Sequence, residues 1–471
     1  MDQMAGTEKQ NADYRVLGSR KWHVAKKLVA WFLVIVMVLA TENLPAFAMV
    51  AKAEESTIVT SVKLNTNGTP ENIYDDYYEI GTAEELYWFA NEVNSGKTKI
   101  NAVLTNDITV NADLLSNFQY TDFDGRVVNS SDFKVWKSIA INHPYEGIFD
   151  GQHHTISGIF GKDSDGLFGN ISSDGVVKNV GVMDSYFEDE GGLCGHNCGV
   201  IENCYYTGIV SGVGSMGGIC GENYYGGKII NCRNTGSIIF DSLTQSGTAG
   251  GSVGGICGEN YEGTIMNCYN TGKISGKRRE GGVTGILNVG GVCGLNERDA
   301  IIKNCYNTGT VSFTLVSQYG NGVNIGGICG NNEKYWKVNS IIANCYNVGE
   351  VIVGGSANVV EDYKEGGICG SNSDNIIKNC YYDKSKYLGN AVGDEGETVE
   401  NTEGKTNYQF QNGAVAYLLS RGCKLDKTVY SGSVWGQTLI GKKAHNTPVL
   451  QGAAVYRFTN CKNAPVYTNN K

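Results

Sequence analysis

The chain has 471 residues, 64 of them glycine and only 5 proline, with a formal net charge of −10. Glycine at about twice its usual share, without a Gly-x-y period, excludes collagen, and the acidic balance argues against a nucleic-acid surface. That length holds several ordinary domains or one long repeat array, and glycine beside 27 tyrosines suggests short strands between tight turns.

The first stretch reads as a secretion signal. Lys21, Lys26 and Lys27 precede an apolar run from Leu28 to Ala40, and small-residue sites follow, AFA at 46–48 and AKA at 51–53. The run is shorter than the roughly 20 residues a membrane span needs. Residues 1–53 are therefore expected to be a signal peptide cleaved after Ala48 or Ala53. The mature protein is expected to be secreted, and an uncleaved signal would be its membrane contact. Residues 54–79 are polar and read as a linker.

A helix is expected next, within an N-terminal cap and first strands spanning 80–160. Thr82 and Glu85 form a capping box, Leu86, Phe89, Ala90 and Val93 make one apolar stripe, and Gly96 stops it. Such a helix can cover the open end of a repeat stack.

Residues 161–383 carry the repeat. Gly-Gly-(Ile/Leu/Val)-Cys-Gly recurs at Cys194, Cys220, Cys257, Cys293, Cys329 and Cys369, at steps of 26 to 40 residues. An Asn-Cys pair follows each time, at Cys204, Cys232, Cys268, Cys305, Cys345 and Cys380. Ile201, Ile229, Ile265, Ile302, Ile342 and Ile377 stand three places before that second cysteine. Side chains alternate along a strand, so isoleucine and cysteine share an interior only if the chain bends between them. The asparagines, including Asn231, Asn267, Asn304 and Asn344, suit a sharp corner because Asn tolerates the left-handed region. Six places after the cysteine, Val210, Ile238, Ile274, Val311 and Val351 return to the interior after a Gly turn.

Strand, Asn corner, strand and Gly turn describe one rung of a parallel β-helix. An isoleucine column, an asparagine ladder and two cysteine columns would line its inside. A β-propeller is the weaker alternative, since blades of four strands need longer steps than 26 residues.

These blocks, with Asn-Cys-Tyr-Asn-Thr-Gly, resemble the GLUG motif repeat family of Gram-positive secreted and surface proteins. The core motif is clearest in GLFGN at 166–170, and flanks such as TAEELYWFANEVNSG, FDGQHHTISGIF, GAVAYLLSRG and VWGQ fit the same context. The resemblance implies an all-β, right-handed parallel β-helix on a non-cytoplasmic protein. It implies little about activity, because such repeats serve as spacer or adhesin modules and also precede IgA-protease-type zinc peptidases. Residues 384–405 read as a second linker. A C-terminal cap is expected over 406–471, with a helix through Val415, Leu418 and Leu419 and strands near Trp435 and Val449.

The cysteines admit three readings. Secretion favours disulfides, but the count of 15 is odd, and stacked in-register side chains reach the disulfide torsion awkwardly. Cys194-Gly-His196-Asn-Cys198 suggests a metal, yet the other repeats carry no histidine. Cysteine as a small buried hydrophobe is favoured, because Phe168 and Val180 fill the two cysteine slots in the first block. Cys423 and Cys461 lie outside the repeats and could pair.

No catalytic constellation, cofactor motif or His-Glu-x-x-His zinc helix stands out. His153 and His154 sit in a turn and read as structural. Polysaccharide-active β-helices need paired acids on one outer face, and Glu202 and Glu259 show no such recurrence in sequence. The expectation is a non-enzymatic, adhesin-like or scaffold protein that binds a protein or glycan at the cell exterior. A polysaccharide lyase or glycosidase, and a spacer module, are the alternatives. The candidate binding ridge is aromatic: Tyr224, Tyr225, Tyr261, Tyr335 and Trp336 in the turns after Cys-Gly-x-Asn. The extra length at 239–253, 275–289, 312–325 and 352–365 marks a second candidate face.

Overall fold

The computed structural model describes residues 62–65, 76–117, 133–162, 164–241, 250–278, 285–315, 322–335, 338–355, 363–394, 398–425, 434–439 and 445–450. The expected signal segment, Trp336 and Cys461 lie outside them, as does the side chain of Cys423. Among the described residues no helix is long and apolar enough to cross a membrane.

Each rung begins with a strand holding a buried central isoleucine, flanked in Thr264–Met266 by a half-buried Thr and Met. These strands pair in parallel so that Ile201, Ile229, Ile265, Ile302, Ile342 and Ile377 stand in register. All six are fully buried. Each isoleucine removed from water contributes about 1.5–3 kcal/mol, which a single rung could not collect alone.

The corner follows. Asn203, Asn231, Asn267, Asn304, Asn344 and Asn379 all have φ between 53° and 55°. The left-handed residue breaks the alternation of faces, so the next residue, cysteine, returns inside. The short strand beyond it, such as Tyr269–Asn270, belongs to a ten-stranded sheet. After the Gly turn comes a seven-stranded sheet through the Val and Ile slots, and the Cys-Gly-x-Asn strands form an eight-stranded sheet. Parallel pairing from rung to rung makes the chain a parallel β-helix. The isoleucine strands extend into a twelve-stranded wall.

The longer repeats add a wall of their own. Ser215–Gly217, Gly251–Gly254, Leu287–Gly290, Val323–Gly326 and Tyr363–Gly366 form a fifth, five-stranded sheet. Four of its strands come largely from the stretches beyond the minimal 26-residue rung, so those stretches carry ordered coil.

Helix α1 (Ala83–Asn94) has the expected capping box at Thr82 and Glu85, and buries Leu86, Phe89, Ala90 and Val93. Phe89 packs against Tyr145 and Phe149, with ring centroids 6.1 and 5.8 Å away. Asn94 clamps the following loop, donating to the Ser138 carbonyl at 2.9 Å and accepting from the Ile141 amide at 3.0 Å. A one-turn helix, α2 (Leu114–Asn117), is held by Asp184, which accepts from the Leu114 and Leu115 amides at 2.8 and 3.0 Å.

Three expectations need correction. Residues 384–405 are not a linker but a last rung: Val392–Asp394, Val399–Glu400 and Glu403–Lys405 extend three of the walls. Val392 takes the slot of Cys369, Val399 that of Ile377, and Thr402 meets the Cys380 amide. Each slot has a new occupant among acidic outward residues, which hides the period. Part of 54–79 is also strand, since Leu64–Asn65 pairs antiparallel with Tyr77–Ile80, which in turn joins the isoleucine wall.

The third correction concerns the C-terminal region. Helices α3 (Asn407–Gln411) and α4 (Ala414–Leu425) and the strand pair Trp435–Gly436 and Val449–Leu450 form a small lobe. Its core is not the coil interior but a separate cluster of Phe410, Val415, Leu419 and Trp435 with Tyr346 and Tyr381. The lobe therefore packs on the outer side of the ten-stranded sheet rather than over the end of the stack. Tyr306, Tyr346 and Tyr381, each in the slot after a second cysteine, point outward and give it an apolar seat.

Candidate functional site

Inside the coil the structure places both cysteine columns and two asparagine ladders. Cys220, Cys257, Cys293 and Cys329 pair rung to rung, flanked by Phe168 below Cys194 and Val392 above Cys369. Cys232, Cys268, Cys305 and Cys345 form the second column, and all eight are fully buried. The described cysteines are free thiols, each column member donating to a nearby carbonyl, as Cys257 Sγ does to Glu259 O at 3.0 Å. Burial pushes thiols such as Cys257, Cys305 and Cys369 well up, so they stay protonated. No group of three or more metal-ligating side chains occurs among the described residues.

The continuous hydrogen-bonded ladders inside the coil are built from asparagines other than those at the corners. Asn231 and Asn267 are only partly buried, and the corner side chains bond one another, Asn267 to Asn231 and Asn304 to Asn267, each at 3.2 Å. Asn304 and Asn344 are buried. A left-handed corner residue directs its side chain off the strand's alternation, so this column is half open at Asn231 and Asn267 and enclosed at Asn304 and Asn344. One interior ladder runs Asn234, Asn270, Asn307 and Asn347, with Nδ2 to Oδ1 distances of 2.8, 2.9 and 2.9 Å. The second amide hydrogen of Asn270 reaches the Gly272 carbonyl at 2.9 Å, and its Oδ1 accepts from the Gly272 amide at 3.1 Å. Every donor and acceptor of the buried amide is thus used. Gly272 is obligatory, because a Cβ there would lie 1.8 Å from the Gly236 carbonyl oxygen. The other ladder joins Asn197, Asn223, Asn260, Asn296, Asn332 and Asn372 at 2.7–2.9 Å. The Asn of Cys-Tyr-Asn stands two places after a buried cysteine and so shares its parity; the Asn of Cys-Gly-x-Asn stands three places on, and alternation alone does not place it inside.

On the outside, the ends of the Cys-Gly-x-Asn strands gather the candidate ridge. Tyr224 and Tyr261 pair in register. Tyr224, Tyr225 and Tyr261 sit with ring centroids 5.5–5.7 Å apart. Tyr225 is 68% exposed and Tyr335 40%. Arg298 bridges the series, its guanidinium 4.4 Å from the Tyr261 ring and 3.6 Å from that of Tyr335. Arg298 and Asp299 are both left-handed, with φ of 57° and 65°, a costly pair for non-glycine residues that aims the guanidinium along the ridge.

Acids recur beside the rings, contrary to the expectation for Glu259. Glu222 and Glu259 are in register on neighbouring rungs, and His196 pairs with Glu222 one rung earlier. Both glutamates, like His196, stand two places after an aligned cysteine, so the cysteine register already carried this file. His196 Nε2 is 2.9 Å from Glu222 and its Nδ1 is 3.6 Å from Glu190. Glu190 comes from a turn with two left-handed residues, Asp189 and Glu190. Burial raises Glu190 to about 8, with Asp165 adding repulsion, while the Glu222 hydrogen bond raises His196 to about 9. Glu222 is lowered, against its own burial, by bonds from His196 and Tyr224. Glu202 lies apart, on the isoleucine wall. His153 is a left-handed turn residue, φ 68°, and His154 meets Asp107 at 3.3 Å.

The strand pairing defines a parallel β-helix built from repeats. Within it the profile of the GLUG motif matches residues 212–239, 249–275 and 285–312, so the chain carries GLUG repeats. Halomucin of Haloquadratum walsbyi is 29% identical over 175 residues, which is 36% of this chain and 2% of that relative. The chain thus spans a small fraction of the relative's length. Among solved structures, a Bacteroides ovatus protein described as an immunoglobulin A1 protease is 21% identical, with a TM-score of 0.45, covering 82% of this chain and 94% of its own. Another, described as IgA1 protease, is 16% identical with a TM-score of 0.43, covering 69% of this chain and 21% of its own.

Proposed function

We propose that the chain is an extracellular, non-enzymatic repeat scaffold that presents the Tyr224–Tyr335 ridge to a ligand. The observation that carries this is the exposure of Tyr225 and Tyr335 on a wall whose interior is rigidly bonded. Large exposed aromatics held by an ordered ladder lose little entropy on binding. The signal-like leader and the likeness to Halomucin support the extracellular setting. The test is a glycan and matrix-protein array probed with the mature chain and with a Tyr225→Ala, Tyr335→Ala double variant. Ligands retained by the parent and lost by the variant are expected; a parent that retains nothing on the array ends this reading.

One observation favours a second reading, a polysaccharide-active enzyme. Two carboxyls whose environments push them in opposite directions, Glu190 up and Glu222 down, are how acid and base roles are divided in glycoside hydrolysis. Reducing-sugar release that disappears in both Glu190→Gln and Glu222→Gln would favour it over binding alone.

A further inference from the structure

The ridge carries its own example of what it accepts. Along the turn column the equivalent residues are Tyr225, Glu262 and Arg298, linked by successive backbone bonds: Tyr225 N to Tyr261 O, and Glu262 N to Glu297 O. In the later rungs Arg298 fills the gap between the Tyr261 and Tyr335 rings. In the earlier rungs the rings are present, Tyr224, Tyr225 and Tyr261, but the turn position holds Tyr225 itself and no cation of this chain lies over the Tyr225 ring among the described residues. Carboxylates lie near that end: Glu222, which His196 pairs, Glu259 in register with it on the next rung, and exposed Glu262 in the turn. An aromatic face rimmed by acids on a chain of net charge −10 is complementary to a cation with a flat, weakly hydrated head group.

We infer that the Tyr224–Tyr225 end of the ridge, beside the Tyr261 ring that Arg298 already covers, is a docking site for an arginine-bearing segment of a partner protein, the incoming guanidinium stacking on Tyr225 as Arg298 does on its rings two rungs later. This rests on the binding reading above and names the chemistry of its ligand. A guanidinium is preferred to an ammonium because the intramolecular occupant is an arginine lying across two rings, a geometry its planar head fits.

The test uses fluorescence anisotropy of a short labelled peptide with two arginines, against the same peptide with citrulline, which keeps the shape and removes the charge. The full mature chain is expected to bind the arginine peptide, to ignore the citrulline peptide, and to weaken as salt rises. Tyr225→Ala should weaken binding about three- to tenfold and Tyr225→Phe should not, since the ring and not the hydroxyl attracts the cation. Tyr225 is mostly exposed, so an unchanged thermal midpoint shows that the variant folds. Equal binding of both peptides, or full binding by Tyr225→Ala, overturns the inference. So does capture of neutral oligosaccharides that needs Tyr225 while arginine peptides do not, an outcome that leaves the binding reading standing.

Discussion

Two outer walls of the coil carry tyrosines, and the chain treats them oppositely. On the ten-stranded wall Tyr269, Tyr306 and Tyr346 stack face to face, at 4.8 and 4.9 Å and within 3° of parallel. The C-terminal lobe then closes over the upper part of that stack. Trp435 packs on Tyr306 and Tyr346, and the Tyr346 hydroxyl donates to the Pro448 carbonyl at 2.6 Å. On the Cys-Gly-x-Asn wall the rings are tilted or edge-on, interleaved with Arg298 and glutamates, and Tyr225 and Tyr335 stay exposed. The residue type is the same, but the stacked tyrosines sit within strands whereas Tyr225 and Tyr335 sit just past strand ends, and only the first set receives cover from the chain itself. A tyrosine column on a β-helix is a seat, and only the seat left open is a candidate for an outside partner.

The largest expected effect is on the covered wall. Trp435→Ala should remove about 3–5 kcal/mol from the lobe's packing, because a fully buried indole leaves a cavity against two tyrosines. Hydrogen exchange should then show α3 and α4 opening while the coil keeps its protection. Protection unchanged in the lobe would mean that the stack is not its seat. Next comes the ladder behind the ten-stranded wall. Asn270→Ala strips partners from the Asn234 amide and from both backbone groups of Gly272, and should cost at least about 2 kcal/mol of unfolding free energy. Corner Asn231→Gly keeps the left-handed backbone and should change stability little, which separates the interior ladder from the corner column. Third, Cys293→Val should cost less than about 1.5 kcal/mol, since Val392 already fills the same column. The thiols should resist modification until denaturant exposes them; rapid labelling of the native chain would contradict the buried columns.

Much of this was legible because one period is written in several columns at once. The isoleucine, cysteine and valine slots, the left-handed asparagine corners and the α1 stripe all follow from side-chain alternation and caps read directly from residues. Misplacing the interior ladder came from crediting the corner asparagines with the alternation they break. The last rung escaped because Val392, Val399 and Thr402 replace the marker residues. The His196–Glu222–Glu259 file was legible two places after the aligned cysteines and was missed because the acids were not read in that register, whereas the seat of the lateral lobe depends on contacts that spacing along the chain does not carry. The ridge tyrosines were legible individually; their shared arginine was not, because Arg298 reaches them only through two left-handed turn residues.

The smallest effect sharpens the open wall. His196 has an ordinary value of 6.5 and is raised to about 9; Glu190 has an ordinary value of 4.5 and is raised to about 8. Both shifts are upward, so the stability each contributes is complete below its unfolded value and is lost as pH rises through its folded one. Glu222, which is lowered, works the other way: its contribution is present above its unfolded value and fades only in acid. The unfolding midpoint should therefore decline gently from about pH 5 to about pH 9. The decline is shallow because His196 and Glu190 are partly open to solvent. Glu190→Gln should remove the earlier part of that decline, between 4.5 and about 8, and leave the later part, between 6.5 and about 9, to His196. Trp435→Ala should leave the slope untouched, since the lobe's seat lies on another wall. A flat profile in the parent, or a slope that follows the lobe variant instead of Glu190, would show that the two walls are not independent.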